Sequence, residues 1–166
     1  MYRTAVAVAV SLMSSGAVGE IITIDVGLDG SQPAPPTGSL ATGIASVQID
    51  TLTRDISVQG SFSGLEGDAL FGHLHGPADF GHPSPIVIFP LLIEGDFMRS
   101  GTFSADVRVS RFQFDVIMSS RSYLNIHSVA FPSGEIRGQV VVPGPTGFGL
   151  LGVCGLWGTR RRRGVS

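Results

Sequence analysis

The sequence predicts an all-β fold, a Greek-key β-sandwich of about eight or nine short strands. Three observations carry this prediction. Glycine and proline are abundant, 23 and 10 of 166 residues, as befits a chain that turns often. Apolar and polar residues alternate over short runs, which buries one face of a strand and leaves the other polar. No long segment shows the 3.6-residue apolar period of an amphipathic helix.

Nine segments fit strands: Ile21–Leu28, Gly43–Ile49, Asp55–Phe62, Ala69–His75, Ile86–Leu92, Gly101–Val107, Phe112–Met118, Tyr123–His127 and Glu135–Val141. In the third, Ile56, Val58 and Gly60 oppose Ser57, Gln59 and Ser61. In the seventh, Phe112, Phe114 and Val116 oppose Gln113, Asp115 and Ile117. Two proline-rich loops interrupt the strands, Gln32–Gly38 and Gly76–Pro85, and Ser100-Gly101 and Ser133-Gly134 mark tight turns.

The two ends read as processing segments around a single domain, residues 20–141. Residues 1–19 have the order of a signal peptide: a start carrying Arg3, an apolar run from Ala5 to Met13, then small residues through Gly19. Signal peptidase is the expected partner there. Residues 142–166 pair Val142-Pro143-Gly144-Pro145 with a hydrophobic helix over Gly147–Thr159 and then four arginines, Arg160 to Arg163. That apolar run is shorter than the roughly 20 residues of a comfortable span. The arginines would hold its end on the cytoplasmic side of the inner membrane.

Charge and composition exclude several functions. All 13 acidic residues but only six of the 11 arginines lie between Glu20 and Val142, a net charge near −7. Such a domain is a poor partner for nucleic acid. Lysine is absent, so there is no Gly-rich phosphate loop with a lysine. The single cysteine, Cys154, lies in the tail, and there is no Gly-x-Ser-x-Gly elbow. No catalytic constellation stands out, which favours a non-enzymatic role.

Histidines carry the remaining chemistry. His73 and His75 are two apart on one strand and share a face. His127 ends a second strand whose Leu124 and Ile126 point the other way. If the leucine and isoleucine faces line the core, all three histidines point outward, beside the Gly76–Pro85 loop and its His82. Imidazoles in this pattern suit copper or zinc; alternatively they hydrogen-bond loop backbone and hold the Gly76-Pro77 turn. Neutral imidazole is the ligand form, so metal affinity is expected to fall below about pH 6. Glu135 and Arg137 read as the charged outer face of the last strand, with Glu135 as a metal ligand or base near His127 the functional alternative.

Three resemblances follow from these motifs. His73-Leu74-His75-Gly76-Pro77-Ala78, Pro85-Ile86-Val87-Ile88-Phe89-Pro90-Leu91, Tyr123-Leu124-Asn125-Ile126-His127 and Phe131-Pro132-Ser133-Gly134-Glu135-Ile136-Arg137-Gly138-Gln139 together resemble the CHRD domain, over about Ile21 to Val141. This implies a secreted all-β domain and no particular reaction. The tail resembles the PEP-CTERM sorting signal of exopolysaccharide-producing bacteria, with Gly144 where that motif has glutamate. That implies processing by an exosortase-type protease and delivery to the cell envelope or extracellular matrix, where a matrix polymer is the expected partner. Finally, His73, His75 and His127, with His82, resemble the copper ligands of the Cu/Zn superoxide dismutase sandwich, without its disulfide cysteines.

Overall fold

The computed structural model describes residues 19–95 and 99–144. The expected leader up to residue 18 and the tail from residue 145 lie outside the described residues. Within them, strands and one helix follow in order: β1 Ile21–Asp29, β2 Thr42–Asp50, β3 Asp55–Ser63, β4 Ala69–His75, β5 Val87–Glu94, β6 Gly101–Arg108, α1 Arg111–Met118, β7 Ser122–Ser128 and β8 Ile136–Val140. No helix among the described residues is long and apolar enough to cross a membrane.

The strands are antiparallel and ordered β1-β2-β3-β6-β5-β4-β7-β8. Three consecutive strands, β6-β5-β4, are followed by β7, which returns beside β4. This is a Greek-key arrangement. The expected open sandwich is corrected to a closed barrel, because β8 pairs back onto β1 at Asp29 and Arg137. Closure removes the two free edges that β1 and β8 would otherwise present. Inward-facing glycines let the sheet curl tightly. A side chain at Gly138 would run into the Gly27 carbonyl and Val26, and one at Gly72 into Ile126 and Leu91.

Alternation builds the core. Ile24, Val26 and Leu28 of β1, Val47 and Ile49 of β2, and Ile56 and Val58 of β3 all point inward and are buried. Leu74 of β4 faces Leu124 of β7 in register, and Ile126 faces Ile136 of β8. All four are essentially inaccessible to solvent. Pro90 lies in β5 where the strand pairs with β4 but not yet with β6, whose pairing begins at Leu92. A proline there breaks no ladder on that side. The gap is bridged by α1, whose Gln113 side chain donates to the Ile88 carbonyl at 3.0 Å.

The seventh expected strand, Phe112–Met118, is instead this helix. Its start is a capping box: the Ser110 hydroxyl accepts from the Gln113 amide, and the Gln113 side chain accepts from the Ser110 amide. Phe112, expected to line a buried face, is exposed, while adjacent Val116 and Ile117 are both buried. Adjacent burial is impossible on a half-buried strand and natural on a helix packed at one end.

Candidate metal centre

The site sits on the outer face of β4 and β7. Because Gly72 and Leu74 fill the barrel, Phe71, His73 and His75 must point outward. The same alternation turns Tyr123, Asn125 and His127 outward from β7. The antiparallel register sets Phe71 opposite His127, His73 opposite Asn125 and His75 opposite Tyr123. Two strands thus bring three histidines into one cluster. Ring centroids lie 5.3 Å apart for His73 and His75, 5.2 Å for His73 and His127, and 5.8 Å for His75 and His127.

Each histidine offers a ring nitrogen within 4.8 Å of the others'. Three atoms so spaced have a common point no more than about 2.8 Å from each, against roughly 2.0–2.1 Å for a zinc–imidazole bond. Sub-ångström side-chain adjustment closes that difference. His82, the fourth histidine, is exposed and outside this group. Its backbone carbonyl, not its ring, is used, accepting from Arg137 at 2.8 Å.

Outward does not mean solvated here. Every residue of β7 and β8 is buried, because loops fold over this side of the barrel. The 76–86 loop is tied down where the Ser84 amide donates to the Tyr123 hydroxyl at 3.0 Å. The 129–135 turn is tied down where the Pro132 carbonyl accepts from His127 Nδ1 at 2.9 Å. A carbonyl can only accept, so Nδ1 carries the proton and Nε2 keeps its lone pair. Asn125 Nδ2 lies 3.2 Å from that lone pair, and its own Oδ1 is buried without a partner. His73 Nδ1 and both ring nitrogens of His75 are likewise buried and unpartnered. Buried polar atoms without partners are rare in native proteins, so each of these calls for an explanation.

Gly134 makes the fit possible. Its φ of 121° is strained for any other residue, and a Cβ there would collide with the Asn125 amide.

Stacking holds what hydrogen bonds do not. Phe71 packs against His127 and His73, with centroids 4.6 and 5.0 Å away. Tyr123 stacks on His75 at 5.2 Å with only 13° between planes. On the β8 side of the same ring lies the Arg137 guanidinium, 3.6 Å from the centroid. The roles of Tyr123, Asn125 and Arg137 escape a reading of single strands, since they arise from cross-strand register.

Glu135 takes no part in the cluster. Its carboxylate is fully buried and accepts from the Ser39 hydroxyl at 2.7 Å, the Glu66 amide at 2.7 Å and the Ser128 hydroxyl. The expected charged outer face at Glu135 and Arg137 is therefore corrected: both are enclosed, one by hydroxyls and an amide, the other by carbonyls and an aromatic ring.

Burial sets the protonation state. It pushes His75 down to about 4, with the neighbouring His127 and His73 charges adding to the effect against the raising influence of the Ile86 and Ser84 backbone. His73 and His127 are also lowered by burial, the latter against the raising influence of its bond to Pro132. All three imidazoles are thus neutral at pH 7 and ready to ligate. A stability prediction follows. Unfolded, His75 titrates near 6.5, so between that value and about 4 the unfolded chain binds the extra proton. The contribution of neutral His75 is fully present above pH 6.5 and is lost as pH falls towards 4. Its size is on the order of 3 kcal/mol. Asp55, held near 2 by its Arg108 hydrogen bond, titrates below this window. Urea midpoints of metal-free protein should therefore drop between pH 6.5 and 4, and the drop should shrink in His75→Ala. An unchanged midpoint across that range contradicts the buried, neutral cluster.

No curated protein and no solved structure matches the chain. A family model does, that of the CHRD domain, over residues 24–140. The matched span contains the histidine cluster, the loops that enclose it and nearly every strand. The chain therefore belongs to the CHRD domain family, whose members are generally extracellular or secreted.

Proposed function

We propose that this protein is exported to the cell envelope or extracellular matrix, acts there without catalysing a reaction, and holds one copper or zinc ion at His73, His75 and His127. One observation carries the metal reading: three imidazole nitrogens converge within 4.8 Å. The burial of His75 and His127, the half-burial of His73 and the unpartnered nitrogens of His73 and His75 support it. The bond from His127 Nδ1 to the Pro132 carbonyl is the kind of support that orients a metal-bound imidazole. Sorting by an exosortase-type protease, transient membrane attachment through residues 142–166 and contact with a matrix polymer belong to the same proposal. They rest on the tail sequence and on the acidic, nucleophile-poor domain.

The test is elemental analysis of protein purified without a polyhistidine tag, followed by titration with copper and zinc. One equivalent should bind the wild type, and His75→Ala should weaken binding by at least about a hundredfold. Because the folded imidazoles titrate below their ordinary value, affinity should persist through pH 6 and decline towards pH 4, lower than the sequence alone implies. Equal binding by wild type and His75→Ala would defeat the assignment.

A further inference from the structure

We infer that this centre selects a monovalent ion and takes copper as Cu(I). The inference rests on the metal reading above and concerns which ion that site accepts. The donor group contains three histidines and neither a carboxylate nor a thiolate. Every donor is neutral, so the ion's full charge remains in the site.

The surroundings add charge of the same sign. Arg137 is 2 % exposed and stands behind Tyr123, whose other side stacks on His75. Its guanidinium donates to the His82 carbonyl at 2.8 Å, the Asp79 carbonyl at 3.4 Å and the Gln139 side-chain oxygen at 2.8 Å. Among the described residues, none of these acceptors is charged. The Asp79 carboxylate is taken by Arg121 at 2.9 Å. The Glu135 carboxylate is bonded to two hydroxyls and an amide rather than to the Arg137 guanidinium. Among the described residues, Arg137 is therefore a buried cation with no carboxylate bonded to it.

A divalent ion would bring the joint charge of the ion and Arg137 to three; a monovalent ion brings it to two. The cost of burying an ion rises with the square of its charge, and it is paid in a medium far less polar than water. Coordination number points the same way. Structural zinc takes four protein ligands, zinc held by three histidines must keep a water in its fourth place, and Cu(II) favours tetragonal nitrogen and oxygen sets. Three imidazoles complete a trigonal shell for a d10 monovalent ion without further anions.

Competition titrations on the full domain decide the matter. Cu(I) is presented anaerobically with ascorbate against bicinchoninate, and Cu(II) and Zn(II) are presented against colorimetric chelators. The Cu(I) dissociation constant should be at least about a hundredfold below those for Cu(II) and Zn(II). Arg137→Gln should narrow that ratio by roughly tenfold, and Arg137→Lys should preserve it. Should Arg137→Gln not fold, the midpoint potential of copper-loaded wild type serves instead, and it should lie above that of the aqueous Cu(II)/Cu(I) couple. Divalent ions bound as tightly as Cu(I), or a potential at or below the aqueous couple, would overturn the inference while leaving the metal site standing. Failure of all three ions to bind would remove the site itself.

Discussion

Glu135→Ala is expected to destabilise the domain by about 3–5 kcal/mol, because it removes the one group that satisfies three buried or partly buried donors. The Ser39 hydroxyl, the Glu66 amide and the Ser128 hydroxyl all donate to its carboxylate. The main chain of Glu135 extends the same junction: its amide donates to the Ile126 carbonyl at 2.8 Å, and its carbonyl accepts from Thr37 Oγ1 at 2.9 Å. One residue thus fastens the β1–β2 loop, the β3–β4 loop and the end of β7 at the point where the chain enters β8. Alanine strands those donors and leaves a void the surrounding loops cannot fill. Glu135→Gln keeps two acceptor lone pairs on one oxygen and should lose less. Urea denaturation at pH 7 measures both. A loss below about 1 kcal/mol for the alanine variant would show that water replaces the carboxylate, and the junction would be of little consequence.

The second large effect lies inside the barrel. Phe103→Ala should cost about 3–5 kcal/mol. Phe103 is among the largest fully enclosed side chains, 2 % exposed. Its ring lies over Gly60, its partner in the β3–β6 register, where any side chain on Gly60 would overlap it. A small residue on one strand and a ring on the next share one volume. Removing the ring leaves a cavity that the glycine cannot fill, and the rigid ladders on either side resist collapse. The same denaturation series should show a lower midpoint with an unchanged slope.

Much of this fold was legible because each strand declares itself locally. Ala69–His75 is a strand with the bounds its alternation implies, and the outward direction of His73, His75 and His127 follows from the inward leucines and isoleucines beside them. The Phe112–Met118 segment misled because three alternating apolar residues mimic a strand, although Ser110 and Gln113 at capping-box spacing already marked a helix start. Closure into a barrel was not legible. It depends on Asp29 meeting Arg137 across more than a hundred residues, and no local pattern encodes that.

The candidate site was half legible for the same reason. Spacing places two histidines on one face, but the third arrives only through the β4–β7 register. Alternation also marks Glu135 and Arg137 as outward and polar. It carries no information about loops folding over that face, so their enclosure could not be anticipated. The stack of Arg137, Tyr123 and His75 spans three strands and exists only once the register is known.

The central claim is that His73, His75 and His127 jointly hold one ion. X-ray absorption at the copper edge of the loaded, tag-free domain tests it most directly. The geometry predicts a shell of three imidazole nitrogens near 2.0 Å, with the outer-shell scattering that imidazole rings produce, and its loss in a variant lacking all three histidines. A shell of oxygen scatterers without that imidazole signature, or a spectrum unchanged in the triple variant, would contradict it.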